Sequence, residues 1–174
     1  MPSLNARHRI QLWTLDELSK RGVYLGRRSA NLHVALYRRT RGRLGGRLPG
    51  WREARIVLVD HVGAKSGAKR TSPVIYCVHD DAVAVVGSKA GQATNPAWFH
   101  NLKANPEATI QIGADVRTVR ARLATDEERD HLWPKLVATF PAYDIYQRNA
   151  KHRRLPVVIL EPRRPDPRRA GVGR

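Results

Sequence analysis

From residue 55 onward the chain alternates short β-rich runs with tight turns, and this alternation restricts the fold more than any other feature. Six runs qualify: Ile56–Val59, Thr71 to Val78, Ala82–Val86, Thr109–Ile112, Val116–Leu123 and Leu155–Leu160. Gly63-Ala-Lys-Ser-Gly67 turns the chain between the first two, and His79-Asp-Asp81 between the next two. Consecutive hairpins pair antiparallel, and an antiparallel sheet of this size loses its exposed edges by closing into a barrel. In the fifth run Val116, Thr118, Arg120 and Arg122 alternate with Arg117, Val119, Ala121 and Leu123, which leaves its buried face open. The expectation is an α+β, mainly β fold: a six-stranded antiparallel split barrel with flanking helices.

Helix signals fall between the strands. Asn95-Pro96 reads as an N-cap followed by proline at the first helical position, with the helix running to about Ala104 and stopping before Asn105-Pro106. Thr125-Asp-Glu-Glu128 is a capping box ahead of Leu132, Trp133, Leu136 and Val137. That helix ends near Pro141, and a second short one carries Tyr143 and Tyr146. Residues 1–50 read as helices and loops, with Leu32, Ala35 and Leu36 on one helical face. Gly42, Gly45, Gly46, Pro49 and Gly50 then form a linker. The predicted organisation is a basic N-terminal helical extension (1–50), a barrel domain (51–162) and a basic disordered tail (163–174).

Charge separates the ends from the middle. The 174 residues carry a formal charge of +17. Residues 1–50 hold eleven Lys/Arg against Asp16 and Glu17, a net of +9, and the tail after Pro162 holds five Arg against one Asp, a net of +4. The ends thus contribute +13 of the +17, and the middle is nearly balanced. Such ends favour anionic partners. Nucleic acid is not expected, because a binder of that kind interleaves basic residues with aromatics on one face and the aromatic fraction is only 6%. The lone cysteine, Cys77, excludes an internal disulfide and reads as a buried thiol. The seven histidines show no metal-ligand spacing. No secretory signal or membrane span is visible, so the expected location is cytoplasmic.

Three clusters carry chemistry. Gly63-Ala-Lys65-Ser66-Gly67-Ala-Lys69-Arg70-Thr71-Ser72-Pro73 joins turn amides, cations and hydroxyls, a cradle for phosphate or carboxylate; the alternative is a solvated basic turn. Val86-Gly87-Ser88-Lys89-Ala90-Gly91 ends a strand in small residues that admit a flat ring close to backbone, or forms a plain turn. Asn95-Pro-Ala97-Trp98-Phe99-His100-Asn101-Leu102 opens a helix whose amides face anions, while Trp98 and Leu102 also suit a core. There is no serine elbow, no Cys/His spacing and no carboxylate pair, which favours an enzyme whose cofactor performs the chemistry.

In order and spacing these segments resemble the deazaflavin (coenzyme F420)-dependent nitroreductase family of split β-barrel oxidoreductases. The matching pieces are Gly-x-Lys-Ser-Gly-x-x-Arg-Thr-x-Pro (63–73), Gly-Ser-Lys-x-Gly (87–91), Asn-Pro-x-Trp-Phe-His-Asn-Leu (95–102), Ala-Asn-Pro (104–106), Tyr-x-x-Tyr-Gln (143–147) and Pro-Val-Val-Ile-Leu-Glu-Pro (156–162). The resemblance implies reduced coenzyme F420 as cofactor and hydride transfer to an organic acceptor such as a menaquinone-like quinone or a nitro compound. It implies that Ala64, Lys65, Ser66, Arg70, Thr71 and Ser72 hold the phosphate and glutamate tail. Val86, Gly87, Ser88 and Lys89 would line the deazaflavin, with Ala97, Trp98, Phe99, His100 and Asn101 beside it. Tyr143, Tyr146 and Ser88 would form the reacting side, Tyr143 also touching the cofactor. Phe99 stands where the family commonly has tyrosine. Phe140 stands at the first of three tyrosine positions found in nitroimidazole-reducing members, and the missing hydroxyl counts against that acceptor. The competing readings are an FMN-binding barrel of the same fold and a non-enzymatic binder of anionic membrane or nucleic acid. The basic N-terminal segment also predicts peripheral contact with an anionic membrane.

Overall fold

The computed structural model describes residues 6–20 and 27–163. The predicted disordered tail, apart from Arg163, lies outside the described residues. Two helices lead, α1 (Ala6–Lys20) and α2 (Arg27–Arg39). The strands are β1 (Arg47–Leu48), β2 (Trp51–Val62), β3 (Lys69–His79), β4 (Ala82–Val86), β5 (Glu107–Ile112), β6 (Asp115–Leu123) and β7 (Val157–Pro162). Between them lie a 3-10 turn (Lys89–Gly91), α3 (Ala97–Ala104), α4 (Asp126–Thr139) and α5 (Ala142–Asn149). Strand order is β1-β2-β3-β4-β7-β6-β5, and β5 returns to β2, so six strands close into an antiparallel barrel. β1 is the strand not anticipated; it lies in the expected linker and adds only Arg47 and Leu48 to the end of β2.

Alternation decides the barrel interior. Val57 and Val59 of β2, Val83 and Val85 of β4, Ile110 of β5, and Val158 and Leu160 of β7 meet in one buried cluster with Trp98 and Leu102 of α3. The ambiguous β6 resolves in favour of Val119 and Ala121, which are buried in the same cluster. The second cluster lies under α4 and α5, where Leu132, Leu136, Phe140, Tyr143 and Tyr146 pack on Trp51, Cys77 and Ile159. Burial pushes the Cys77 thiol up to about 11, as expected of an inert structural cysteine.

The capping box forms in full: Thr125 Oγ1 accepts from the Glu128 amide at 3.2 Å, and the Glu128 carboxylate accepts from the Thr125 amide at 2.8 Å. Arg122 of β6 grips Glu128 with both terminal nitrogens at 2.7 Å and Glu161 of β7 through Nε at 2.7 Å, tying α4 to the barrel wall. The Arg122 guanidinium holds the Glu128 carboxyl down at about 2.

One open question is settled and one expectation needs correction. The shared face of Leu32, Ala35 and Leu36 on α2 does not pack inward; Leu32 is 72% exposed and Leu36 42%. The helix turns Tyr37 inward, where its hydroxyl donates to the Ile56 carbonyl at 3.0 Å and accepts from the Gly113 amide at 2.9 Å. Those two bonds fix the rotation of α2, and a leucine stripe has no comparable anchor. Asn95 does not cap α3 either: Pro96 occupies the N-cap position with no side-chain capping bond, and the Asn95 amide oxygen accepts from Arg153 at 2.6 Å.

Candidate active site

The turn between β2 and β3 presents Ala64, Lys65, Ser66, Gly67, Ala68 and Lys69 to solvent, with Arg70 half-buried at the start of β3. Gly67 adopts φ +65°, which a glycine takes without strain. A buried polar chain fixes this turn. The Ala64 amide donates to Asn101 Oδ1 at 2.9 Å, Asn101 Nδ2 donates to His61 Nδ1 at 3.1 Å, and His61 Nε2 lies 3.1 Å from Ser72 Oγ. An amide NH2 only donates, so His61 Nδ1 is the acceptor and its proton sits on Nε2, aimed at Ser72. Burial lowers the His61 pKa, and the nearby Arg70 acts in the same direction against Asp60. His61 is therefore neutral, and it joins β2, β3 and α3 at the base of the turn.

These bonds sort the expected cradle. Thr71 donates its hydroxyl hydrogen to Asp60 at 2.5 Å, and Arg38 of α2 donates to Asp60 at 2.5 Å and to Thr71 at 3.2 Å. Thr71 thus has no hydroxyl hydrogen left for a ligand. Ser72, as acceptor from His61, keeps its own. Lys65 and Arg70 make no ion pair among the described residues, so both cations are available to an anion. No side chain caps α3, and of its leading amides that of Phe99 donates to the Pro96 carbonyl at 3.1 Å.

The loop after β4 is the second wall. Lys89, Ala90 and Gly91 all have left-handed backbones, at φ +46°, +50° and +75°. For the two non-glycines this conformation costs of order 1–3 kcal/mol each, and it persists only where surroundings impose it. Gly91 packs on the backbone of Tyr146, where a Cβ would lie 2.9 Å from the carbonyl oxygen. A Cβ on Gly87 would lie 2.8 Å from Pro156 Cγ, so packing against Pro156 is a sufficient reason for glycine there. Val86 is buried in the core under α4 and α5. Ser88 and Lys89 are half-buried, and Lys89 Nζ donates to Thr94 Oγ1 at 2.8 Å.

On α3, Ala97 and His100 face solvent while Trp98 and Phe99 are buried in the barrel cluster, so the core reading holds for Trp98. Tyr143 and Tyr146 share a buried face of α5, at 3% and 7% exposure. Phe140 stacks edge-on against both, 5.3 Å from Tyr143 and 6.2 Å from Tyr146. Burial raises both phenols, Tyr146 to about 12 and Tyr143 further. Both stay protonated at neutral pH and can act only as donors or neutral acceptors. The structure ties the turn to α3 through Ala64 and Asn101, and seats the 87–91 loop on α5 through Gly91 and Tyr146.

Sequence reasoning missed His61 and Arg153. His61 continues the inward series Val57, Val59, His61, and a histidine at the next inward position of a buried strand is the signal that would have found it. Arg153 carries no such signal.

The closed antiparallel barrel with its flanking helices has the architecture of the split-barrel oxidoreductases. The chain belongs to the F420H(2)-dependent quinone reductase family, whose model matches residues 29–162. It is 37% identical over 141 residues to a protein of Mycobacterium tuberculosis named F420H(2)-dependent quinone reductase, covering 79% of this chain and 92% of that one. A second protein of that organism, named for the same activity, is 43% identical over 62% of this chain and 89% of its own length. Among solved structures, an F420-H2 dependent reductase (FDR-A) superposes with a TM-score of 0.57 at 40% identity, over 61% of this chain and 93% of that one. The family's reaction is F420H2-driven quinone reduction, with reduced coenzyme F420 as the cofactor. No helix among the described residues is long and apolar enough to cross a membrane.

Proposed function

We propose that the face formed by the 63–70 turn, the 87–91 loop and the first turn of α3 binds reduced coenzyme F420, and that a quinone is reduced beside it on the side of Tyr143 and Tyr146. The bond from the Ala64 amide to Asn101 Oδ1 carries this reading, because it fixes the cationic turn against α3. Lys65, Arg70, Ser66 and the hydroxyl of Ser72 hold the phosphate and carboxylates of the cofactor. Ser88 and Lys89 flank its ring, supported by Val86 and Gly87, with Ala97 and His100 at the rim and Trp98, Phe99 and Asn101 beneath. When bound, the reduced deazaflavin supplies a hydride. The chain orients ring and acceptor, and a protonated phenol at Tyr143 or Tyr146 donates a hydrogen bond to the quinone oxygen that gains charge.

The test is a fluorescence titration with coenzyme F420 beside FMN, followed by oxidation of F420H2 against a quinone panel. Tighter binding of F420, weakened by salt, is expected. Equal or tighter binding of FMN overturns the assignment.

The N-terminal helices favour a second element of this reading, contact with an anionic membrane in which quinones dissolve. Ile10 and Trp13 are 65% and 66% exposed, and they project from α1 while Leu12 and Leu15 pack inward beside the tyrosine cluster. Leu32 and Leu36 project from α2, whose last turn carries Arg38 and Arg39. Removing α1 would uncover Leu12 and Leu15, so point variants are the cleaner probe. Trp13→Ala and Leu32→Ala should reduce co-sedimentation with phosphatidylglycerol vesicles at low salt; unchanged binding removes the membrane reading.

A further inference from the structure

We propose that Arg153 is a positioning residue for the cofactor: it holds residues 87–95 in the one conformation that presents Ser88 and Lys89 to the ring. The inference rests on the assignment of that loop in the proposed function. Arg153 precedes β7 and is only half-exposed. Its guanidinium donates four bonds into one loop: Nη1 to the Gly87 carbonyl at 3.1 Å and to Asn95 Oδ1 at 2.6 Å, Nη2 to the Ser88 carbonyl at 2.7 Å, and Nε to the Gln92 carbonyl at 2.8 Å.

The order of those acceptors matters. Gly87 and Ser88 precede the left-handed triplet Lys89-Ala90-Gly91, and Gln92 and Asn95 follow it. One rigid planar group therefore pins both ends of the strained segment, which is the over-determination that left-handed Lys89 and Ala90 require. The spacing of the fork is matched to carbonyls on either side, so a lysine ammonium cannot reproduce it.

All four acceptors are neutral, and Arg153 makes no ion pair among the described residues. Burial accordingly lowers its pKa. A guanidinium kept without a carboxylate beneath this loop leaves the electropositive character of the face intact, whereas an aspartate partner would cancel it. Arg153 is itself held: its amide donates to the Ala150 carbonyl at 2.9 Å, and its carbonyl accepts from Gln147 Nε2 at 3.0 Å. Gln147 lies one residue after Tyr146, so α5 and the ring loop share one brace.

The test compares wild type, Arg153→Gln and Arg153→Lys by F420 titration, steady-state kinetics and hydrogen exchange of the unliganded proteins. Arg153→Gln should raise the F420 dissociation constant tenfold or more and raise KM for F420H2 while leaving KM for the quinone unchanged. Amide exchange should accelerate in residues 88–95 and stay constant in strands β2 and β7. Arg153→Lys keeps the charge and loses the fork, so it should remain several-fold weaker than wild type and reports even where the glutamine variant folds poorly. A mobile 88–95 segment with wild-type F420 affinity overturns the inference, as does full rescue by lysine, which would assign the effect to charge alone. A wild-type protein that binds no F420 refutes the functional assignment instead.

Discussion

Two loops bound the proposed site, and they use positive charge in opposite ways. In the 63–70 turn the cations Lys65 and Lys69 face solvent, while neutral groups, Asn101 and His61, hold the backbone from below. In the 87–95 loop the cation lies beneath, and Arg153 holds the backbone through four neutral acceptors. The first loop is built to attract: its side chains are expendable for folding and its charge is on display. The second is built to shape: its backbone is strained, and its support is a single side chain distant in sequence. Removing a cation from the first should change affinity alone, and removing the neutral support beneath it should change the fold.

The largest effect follows from breaking that neutral support. Asn101→Leu strips the partner from His61 Nδ1, which is buried, and from the Ala64 amide, which is only partly so. Leaving buried polar groups unpaired costs roughly 1–3 kcal/mol each, so a loss of about 3 kcal/mol and a Tm lower by roughly 6–12 °C is expected. F420 affinity should fall with it, because the turn is no longer fixed to α3. Thermal unfolding with and without F420 checks both; an unchanged Tm removes the polar chain as a support.

On the cationic side, Lys65→Ala and Arg70→Ala should each weaken F420 binding by roughly ten- to hundredfold, the loss of a charge-assisted contact of about 1.5–3 kcal/mol. The Tm should stay within about 2 °C, since both side chains lie at a turn without ion pairs. The comparison is sharpened if the two variants also show a shallower salt dependence than wild type. It is broken if they unfold as readily as Asn101→Leu.

The same contrast explains what could be read from the sequence. Strands and turns were legible because inward and outward positions differ in polarity: the capping box at Thr125–Glu128, the hairpin at His79–Asp81 and all six barrel strands lie where composition puts them. The expected cradle was legible as far as its side chains are displayed. Its support was not. Arg153 reads as one arginine among many in a basic stretch, and only the folded chain brings it within 3.1 Å of residues some 60 positions away. Asn95 misled for a related reason: a capping residue and a remote acceptor have the same side chain, and the guanidinium decided between them. On α2 the shared face of Leu32, Ala35 and Leu36 left its direction open, and the two hydrogen bonds of Tyr37 set the rotation.

A smaller effect follows from pH. His61 is held neutral by burial, so its folded pKa lies below the ordinary imidazole value. A group depressed on folding contributes stability above its unfolded pKa and loses it as pH falls through the folded one. Protonation would also place a hydrogen on Nδ1, against the NH2 of Asn101. Denaturant unfolding should therefore show stability level above about pH 7 and declining below the usual imidazole range of about 6.5. In His61→Gln, which has no such titration, the decline should be reduced, so that the gap between wild type and variant narrows as pH falls. A constant gap excludes His61 as the titrating group.

The smallest structural effect and the most specific kinetic one belong together at Tyr143. Its hydroxyl makes no hydrogen bond to any described residue, so Tyr143→Phe orphans no partner, and the ring contacts with Phe140 and Trp133 persist. The Tm should move by no more than about 2 °C, within the range of changes that leave packing intact. The ring is buried, yet the hydroxyl oxygen is not among the buried unpartnered polar atoms, so it remains open to a partner from outside. Lying behind Gly91 with Tyr146, it suits a group whose partner arrives with the acceptor. A quinone oxygen that gains charge would take that hydrogen bond only as reduction proceeds, which places the loss in kcat. Tyr143→Phe should then lower kcat about tenfold or more, with the F420 dissociation constant unchanged. Tyr146→Phe is the internal comparison: if it alone lowers kcat, the donor is one turn further along α5. If neither does, both tyrosines are core residues, and the acceptor is oriented by the 87–91 loop instead.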